Sequence, residues 1–185
     1  MKRIVYYVAT SLDGFISGKD GDVSGFTGKG NGVDQYLNDL KEYDTVIMGR
    51  KTYEFGYDYG LEPGQLAYPH MAHYIFSDSL ILEKKDDALQ IVNLDIEVIK
   101  KLKNQPGSDI YLCGGGQFAG WLLEHQQIDI LKIKLNPLIL GAGVPLFGES
   151  KVSCQLEFQD AGLYQHGLQI ITYGINYEGQ ARAKN

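Results

Sequence analysis

Cysteine is scarce in this sequence, with only Cys113 and Cys154 among 185 residues. A disulfide framework is therefore excluded as the source of stability, and a reducing compartment is expected. No apolar run approaches the roughly 20 residues a membrane-spanning helix needs, so no membrane partner is expected. The segment Met1 to Val8 carries charge but lacks the apolar stretch and small-residue cleavage site of a secretory signal. A cytoplasmic location is the default expectation. Positive charge is also short: 17 Lys and Arg face 23 Asp and Glu, a formal net charge of −6, which argues against nucleic acid as the main partner. Only four histidines occur. Of these, His70 and His73 could share a helical face, but no third ligand accompanies them, so polar packing is favoured and no metal is expected.

Apolar residues, by contrast, make up 44% of the chain, enough at this length to form one substantial core. A single domain over residues 1–177 with a polar tail at 178–185 is expected. Residues 3–10, β-branched and aromatic throughout, read as a central strand buried on both faces. Ser11 to Gly32 carry too many glycines for a regular element and read as a long, mobile loop. Val33 to Tyr43 read as a helix, Asp44 to Gly49 as a buried strand, and Gly49 to Glu54 as the start of another helix. Residues 57–70 read as irregular, His73 to Ser77 and Leu89 to Asn93 as strands, and Asp95 as the cap of a helix running to Lys103. Leu131, Ile133 and Leu135 alternate with Lys132 and Lys134, as in a strand with one solvated face. Pro137 to Phe147 read as a loop, and residues 152–160 and 168–177 as a closing pair of strands. This order predicts an α/β fold: a mainly parallel twisted sheet, helices on both faces and an antiparallel C-terminal edge hairpin.

The chemistry concentrates at glycines, of which there are 23. Asp109 to Leu123 run from an apolar strand through Gly114-Gly115-Gly116 into a helix with Phe118, Trp121 and Leu122 on one face. Bare backbone beside a helix N-terminus suits an anion such as a pyrophosphate, although a tight connection would use the same residues. A Rossmann site is the nearest rival, through Gly114, Gly116 and Gly120. It expects a carboxylate at the end of the next strand, and Leu135-Asn136 stand there instead. Asp20 to Asn31 imitate a calcium loop without its final Glu. Gly28-Lys29-Gly30 imitate a P-loop without its first glycine or its Ser/Thr.

A second turn, Gly49-Arg50-Lys51-Thr52, also follows a strand, and in a parallel sheet the two turns would share an edge. With both in view, the sequence resembles the dihydrofolate reductase superfamily. More closely it resembles the RibD C-terminal reductase branch, through Ser11-Leu12-Asp13-Gly14-Phe15-Ile16 and Leu138-Ile139-Leu140-Gly141-Ala142-Gly143-Val144-Pro145-Leu146-Phe147. The resemblance spans roughly residues 1–175. It implies a dihydrofolate-reductase-like three-layer fold, NADPH as cofactor and a homodimer joined through the late strands.

By that resemblance, Gly49, Arg50, Lys51 and Thr52 hold the phosphate side of NADPH, with Arg50 near the 2′-phosphate and Ser77 facing the adenosine end. Cys113, Gly114, Gly115, Gly116, Gln117 and Phe118 border the pyrophosphate and nicotinamide, with a cis peptide at Gly114–Gly115. Ala9, Thr10 and Ile16 border the nicotinamide. Read from the residues themselves, Arg50 could instead form a surface ion pair, Asp13 a turn before Gly14, and Cys113 either a reactive thiol or a buried apolar residue. Asp78 stands where a second cation is often found. Asp13 is the candidate acid or substrate anchor, and Asp34 lies near the place of the acid in true dihydrofolate reductases without matching it. The expected activity is hydride transfer to a small heterocyclic or carbonyl acceptor. The resemblance implies 5-amino-6-(5-phosphoribosylamino)uracil of riboflavin biosynthesis, although these residues carry no zinc-ligand motif of the deaminase often fused to that reductase. A non-catalytic nucleotide-binding protein and a dihydrofolate reductase are the alternatives.

Overall fold

The computed structural model describes residues 1–177, and the polar tail expected at 178–185 lies outside the described residues. The first strand, β1 (Ile4–Thr10), sends Ile4 and Tyr6 to one face of the sheet and Val5 and Tyr7 to the other, all at most 4% exposed. Burying each such side chain contributes about 1.5–3 kcal/mol, which is why this segment sits mid-sheet. Next come β2 (Phe15–Ser17) and, after a loop, α1 (Asn31–Asp39), extended by a short 3-10 turn at Leu40–Glu42. The strand β3 (Thr45–Gly49) leads without a break into α2 (Arg50–Phe55). Two further parallel strands, β4 (Ala72–Phe76) and β5 (Leu89–Val92), precede α3 (Ile96–Lys103). As the sequence predicts, Asp95 caps α3, its Oδ1 accepting from the Glu97 N–H at 2.9 Å.

The glycine-centred segment forms β6 (Ile110–Gly114) and α4 (Gly116–Glu124), followed by β7 (Ile130–Leu135). A two-residue strand, β8 (Val144–Pro145), pairs with β2, and β9 (Gln155–Leu163) and β10 (Gln169–Asn176) close the chain. The eight-stranded sheet runs β5-β4-β3-β6-β1-β7-β10-β9. From β5 to β7 every pairing is parallel, whereas β10 is antiparallel to both neighbours. One core layer packs α3 and α4, through Ile99, Leu102, Phe118 and Leu122, on one face of the sheet. The other packs α1 and α2, through Tyr36 and Tyr53, on the opposite face. The predicted α/β fold with helices on both faces is what the chain adopts.

Three expectations change. The 11–32 segment is not a free loop: β2 lies within it, and the Thr27 N–H donates to Asn136 Oδ1 at 2.9 Å. Likewise, the 137–147 loop contains β8. Most consequentially, the Lys132–Lys134 face of β7 is not solvated. It lies under α1, where the Lys132 ammonium meets Asp39 at 2.7 Å and Lys134 is 9% exposed. Alternation marked the face correctly but could not show that a helix covers it.

Candidate functional site

Parallel pairing places Thr10, Gly49, Phe76 and Gly114, the last residues of β1, β3, β4 and β6, at one edge of the sheet. The two glycine turns meet there. A Cβ on Gly115 would stand 2.9 Å from Thr52 Oγ1, and one on Gly49 would stand 3.4 Å from Phe118 Cβ. The Gly114–Gly115 peptide is cis, and Gly114 has φ +141°, a conformation that glycine adopts at little cost. Gly116 has a different reason to be glycine, because a Cβ there would run into the Pro145 carbonyl. The α4 N-terminus begins at Gly115 without any side-chain cap, so its first N–H groups are presented by bare backbone. Arg50 and Lys51 open α2 beside it, and the Arg50 guanidinium lies 3.6 Å from Glu54, with both side chains partly exposed.

The remaining two sequence motifs are stitched to each other. The Leu12 N–H donates to the Leu138 carbonyl at 2.8 Å, and the Leu146 N–H donates to the Gly14 carbonyl at 3.0 Å. Asp13 completes the joint by accepting from the N–H groups of Leu140, at 3.1 Å, and Gly141, at 2.7 Å. The Ser11 hydroxyl and these two N–H groups hold the Asp13 carboxyl below the usual carboxylate range. The candidate acid or substrate anchor, Asp13, is thus an exposed carboxylate that clamps two loops together, with both oxygens engaged by backbone N–H groups. Asp34 is exposed on α1, facing away from the sheet with Asn38 and Lys41.

Beside the end of β1 lies a cavity of about 290 Å³, lined by Val8, Ala9, Ile16, Val23, Phe26, Thr27, Gly28 and Lys134. Ala9 and Ile16, expected to border a nicotinamide, both line this cavity. Thr10 is 2% exposed, and its carbonyl accepts from the Asn136 N–H at 2.8 Å, so it shapes the strand end from within. Asn136 also donates from Nδ2 to the Lys134 carbonyl at 3.0 Å while accepting from Thr27, which ties the glycine-rich loop over the cavity. Both Lys134 and Asn136 escaped the sequence reading. Lys134 was disguised as a solvated lysine, and Asn136 was noted only as the wrong residue for a Rossmann site.

Several of the residues expected to border a cofactor turn their side chains elsewhere. Phe118 is 6% exposed and stacks on Phe76 with ring centroids 4.7 Å apart, so its ring belongs to the core. The Cys113 thiol points among tyrosines, 3.4 Å from the Tyr68 hydroxyl, and burial pushes its pKa up, which disfavours the reactive thiolate. The Ser77 hydroxyl oxygen accepts from the N–H groups of Ser79, at 3.1 Å, and Leu80, at 2.9 Å, forming its own turn. Gln117 is exposed at the start of α4, beside the uncapped N–H groups. His73 is fully buried, its ring nitrogens facing the Met71 carbonyl and the Tyr68 N–H, while His70 lies 3.0 Å from the Leu40 carbonyl. Among the described residues no group of three His, Cys, Asp or Glu side chains is placed to hold a metal ion, and no helix is long and apolar enough to cross a membrane.

The RibD C-terminal domain family matches residues 2–172. A solved structure of a protein assigned to riboflavin biosynthesis from Shewanella sp. PV-4 is similar over 95% of this chain and 99% of its own, at TM-score 0.78 and 24% identity. The Thermotoga maritima diaminohydroxyphosphoribosylaminopyrimidine deaminase/5-amino-6-(5-phosphoribosylamino)uracil reductase matches 94% of this chain with 56% of its own, at TM-score 0.68 and 13% identity. Dihydrofolate reductase from Enterococcus faecalis, solved with NADP(H), matches 94% of this chain and 96% of its own, at TM-score 0.67 and 17% identity. The dihydrofolate-reductase-like fold is shared by all of them.

Proposed function

Because this chain belongs to the RibD C-terminal domain family, we propose that it is an NADPH-dependent reductase acting on a small heterocyclic or carbonyl acceptor. The observation that carries the reading is the meeting of the two glycine turns at one sheet edge, with uncapped α4 N–H groups, Thr52 and Arg50 around them. Bare backbone at a helix N-terminus fits a pyrophosphate, and a half-exposed guanidinium beside it fits a further phosphate. The residues present therefore suit NADPH. Gly115 to Phe118 would hold its pyrophosphate through backbone N–H groups, and Arg50 and Lys51 its 2′-phosphate. Ala9 and Ile16 would border its nicotinamide. When bound, the cofactor supplies the hydride. The chain's part is to orient the ring, to admit the acceptor at the cavity beside Ala9, and to keep water out with the loop that Asn136 ties down.

The pyrimidine of riboflavin biosynthesis, 5-amino-6-(5-phosphoribosylamino)uracil, is the acceptor class the family suggests. One observation favours the rival reading of a non-catalytic nucleotide-binding protein: no carboxylate lines the cavity. Turnover separates the two. Both readings predict tighter binding of NADPH than NADH in a nicotinamide-fluorescence titration, and the reductase alone predicts acceptor-stimulated loss of absorbance at the reduced-nicotinamide band. Failure of either nucleotide to bind at physiological concentration would overturn both.

We also propose a cytoplasmic homodimer joined through the late strands. The support is on β9, an edge strand whose Leu156, Phe158 and Leu163 are 45%, 63% and 76% exposed. An exposed apolar edge strand is a liability that a second copy would cover.

A further inference from the structure

Four lysines of the described residues sit in or near the protein interior, and they divide unequally. Lys2 meets Asp44 at 2.8 Å, Lys103 meets Asp129 at 2.8 Å, and Lys132 meets Asp39 at 2.7 Å. Lys134, 9% exposed, has neither an ion pair nor a hydrogen bond from its ammonium among the described residues. What it has is the ring of Tyr36, with its centroid 4.8 Å from Nζ, and a place in the wall of the 290 Å³ cavity. Among the described residues no fully buried side-chain nitrogen lacks a hydrogen-bond partner, so the Lys134 Nζ keeps its access to the open cavity; a partly desolvated ammonium without a counter-charge is still costly, and a cation over an aromatic face recovers only part of that cost.

The surroundings supply no hidden partner. From α1, the Tyr36 hydroxyl is hydrogen-bonded to the Tyr111 hydroxyl at 2.8 Å, and Asp39 is taken by Lys132, Gln35 and Tyr7. From β1 the cavity receives Val8 and Ala9, and from the loops Ile16, Val23, Phe26 and Thr27. On β10 the register partner of Lys134 is Ile170. Burial accordingly holds the Lys134 ammonium below the usual lysine range. One cation thus faces a mostly apolar space, with Thr27 the other polar side chain of its lining, at the place where the acceptor would lie against the nicotinamide.

We propose that Lys134 is the anion-recognising residue of the acceptor pocket, and that the acceptor is a small ring compound presenting a delocalised oxyanion, a carboxylate or an ionised imide oxygen, on an apolar body. The inference deepens the reductase reading and rests on it. Where a helix carboxylate would select a cationic ring edge, this pocket inverts the charge. A bound oxyanion supplies the counter-charge the fold omits, while Val8, Ile16 and Phe26 take the ring. A lysine at this depth also discriminates: a neutral ring of the same shape leaves the ammonium unpaired.

The test uses benzoate and its neutral isostere benzamide as probes, titrated into the full chain at pH 7 and followed by NMR shifts of the cavity residues. Benzoate is expected to bind at least tenfold more tightly than benzamide. Lys134→Met should erase that preference and leave benzamide binding and melting temperature at least as high as before, and Lys134→Arg should restore the preference in part. Saturation with NADPH should leave benzoate binding in place. Equal binding of the two probes, binding of neither, an intact preference in Lys134→Met, or mutual exclusion of benzoate and NADPH would each overturn the proposal. No nucleotide enters the first titration, so the two readings fail separately. Benzoate discrimination without NADPH binding would sink the reductase and keep the anion pocket, and the converse result would sink only the pocket.

Discussion

Removal of the Arg50 guanidinium should convert a nucleotide preference into indifference, and the structure sets the size of the effect. Arg50 Nη1 lies 3.6 Å from Glu54 Oε1, with the two side chains 42% and 34% exposed. An exposed pair four residues apart on a helix contributes about 0.3–0.5 kcal/mol. A charge-assisted bond from the guanidinium to a 2′-phosphate would contribute about 1.5–3 kcal/mol. Turning from Glu54 to the phosphate therefore nets about 1–2.7 kcal/mol, so Arg50→Ala should weaken NADPH binding roughly 5- to 100-fold. NADH, which lacks that phosphate, should bind the variant about as well as it binds the unaltered protein. The assay is a fluorescence titration of both nucleotides against both proteins, with Glu54→Gln as the control that frees Arg50 and tightens NADPH by about twofold. Equal weakening of NADPH and NADH by Arg50→Ala, or no weakening of either, would refute the placement of the 2′-phosphate beside α2.

Three further outcomes follow from the same geometry. Asp39 accepts from Lys132 at 2.7 Å, Tyr7 at 3.0 Å and Gln35 at 2.7 Å. Asp39→Ala should destabilise the fold by about 2–4 kcal/mol and lower the melting temperature by roughly 5–15 °C in calorimetry, and a change under about 2 °C would contradict this. Burial raises the Asp44 carboxyl pKa, but hydrogen bonds from Lys2, Thr45 and Ser108 outweigh it and bring the value down to about 2. A folded value below the unfolded one of about 3.9 gives stability that is present above pH 4 and lost as pH falls toward 2. The Asp44 side chain is 47% exposed, so solvent screening cuts the effect to about 1 kcal/mol. Asp44→Asn should remove that slope from urea unfolding measured across pH 2–5, and an unchanged slope would count against the assignment. Phe158→Glu, on the exposed edge strand, should yield monomer in analytical ultracentrifugation, and the unaltered chain is expected to sediment as a dimer; identical sedimentation of both would argue against β9 as the interface.

How much of this was legible beforehand depends on the range of the interactions involved. Local chemistry was readable: the double-faced apolar run of β1, the Asp95 cap, and the strand-to-helix glycine turns at Gly49 and Gly114 depend on residues a few positions apart. Parallel order from β1 to β7 and the closing hairpin were legible because each leaves its own pattern of runs and breaks. Asp13 was legible as a residue of the turn before Gly14, but its hydrogen-bond partners were not. Its oxygens are consumed by Leu140 and Gly141, more than 120 positions away.

The sequence by itself determined the fold class and the two glycine turns that follow β3 and β6, since both follow from hydrophobic period and from glycine's backbone freedom. Only the tertiary structure decided what those turns enclose. Phe118 and Cys113 turned out to give their side chains to the core, and Lys134 turned out to lie inside the cavity wall. Burial and charge pairing are sums over elements distant in the chain, so a lysine in an alternating strand looks solvated until a helix is seen to lie across it.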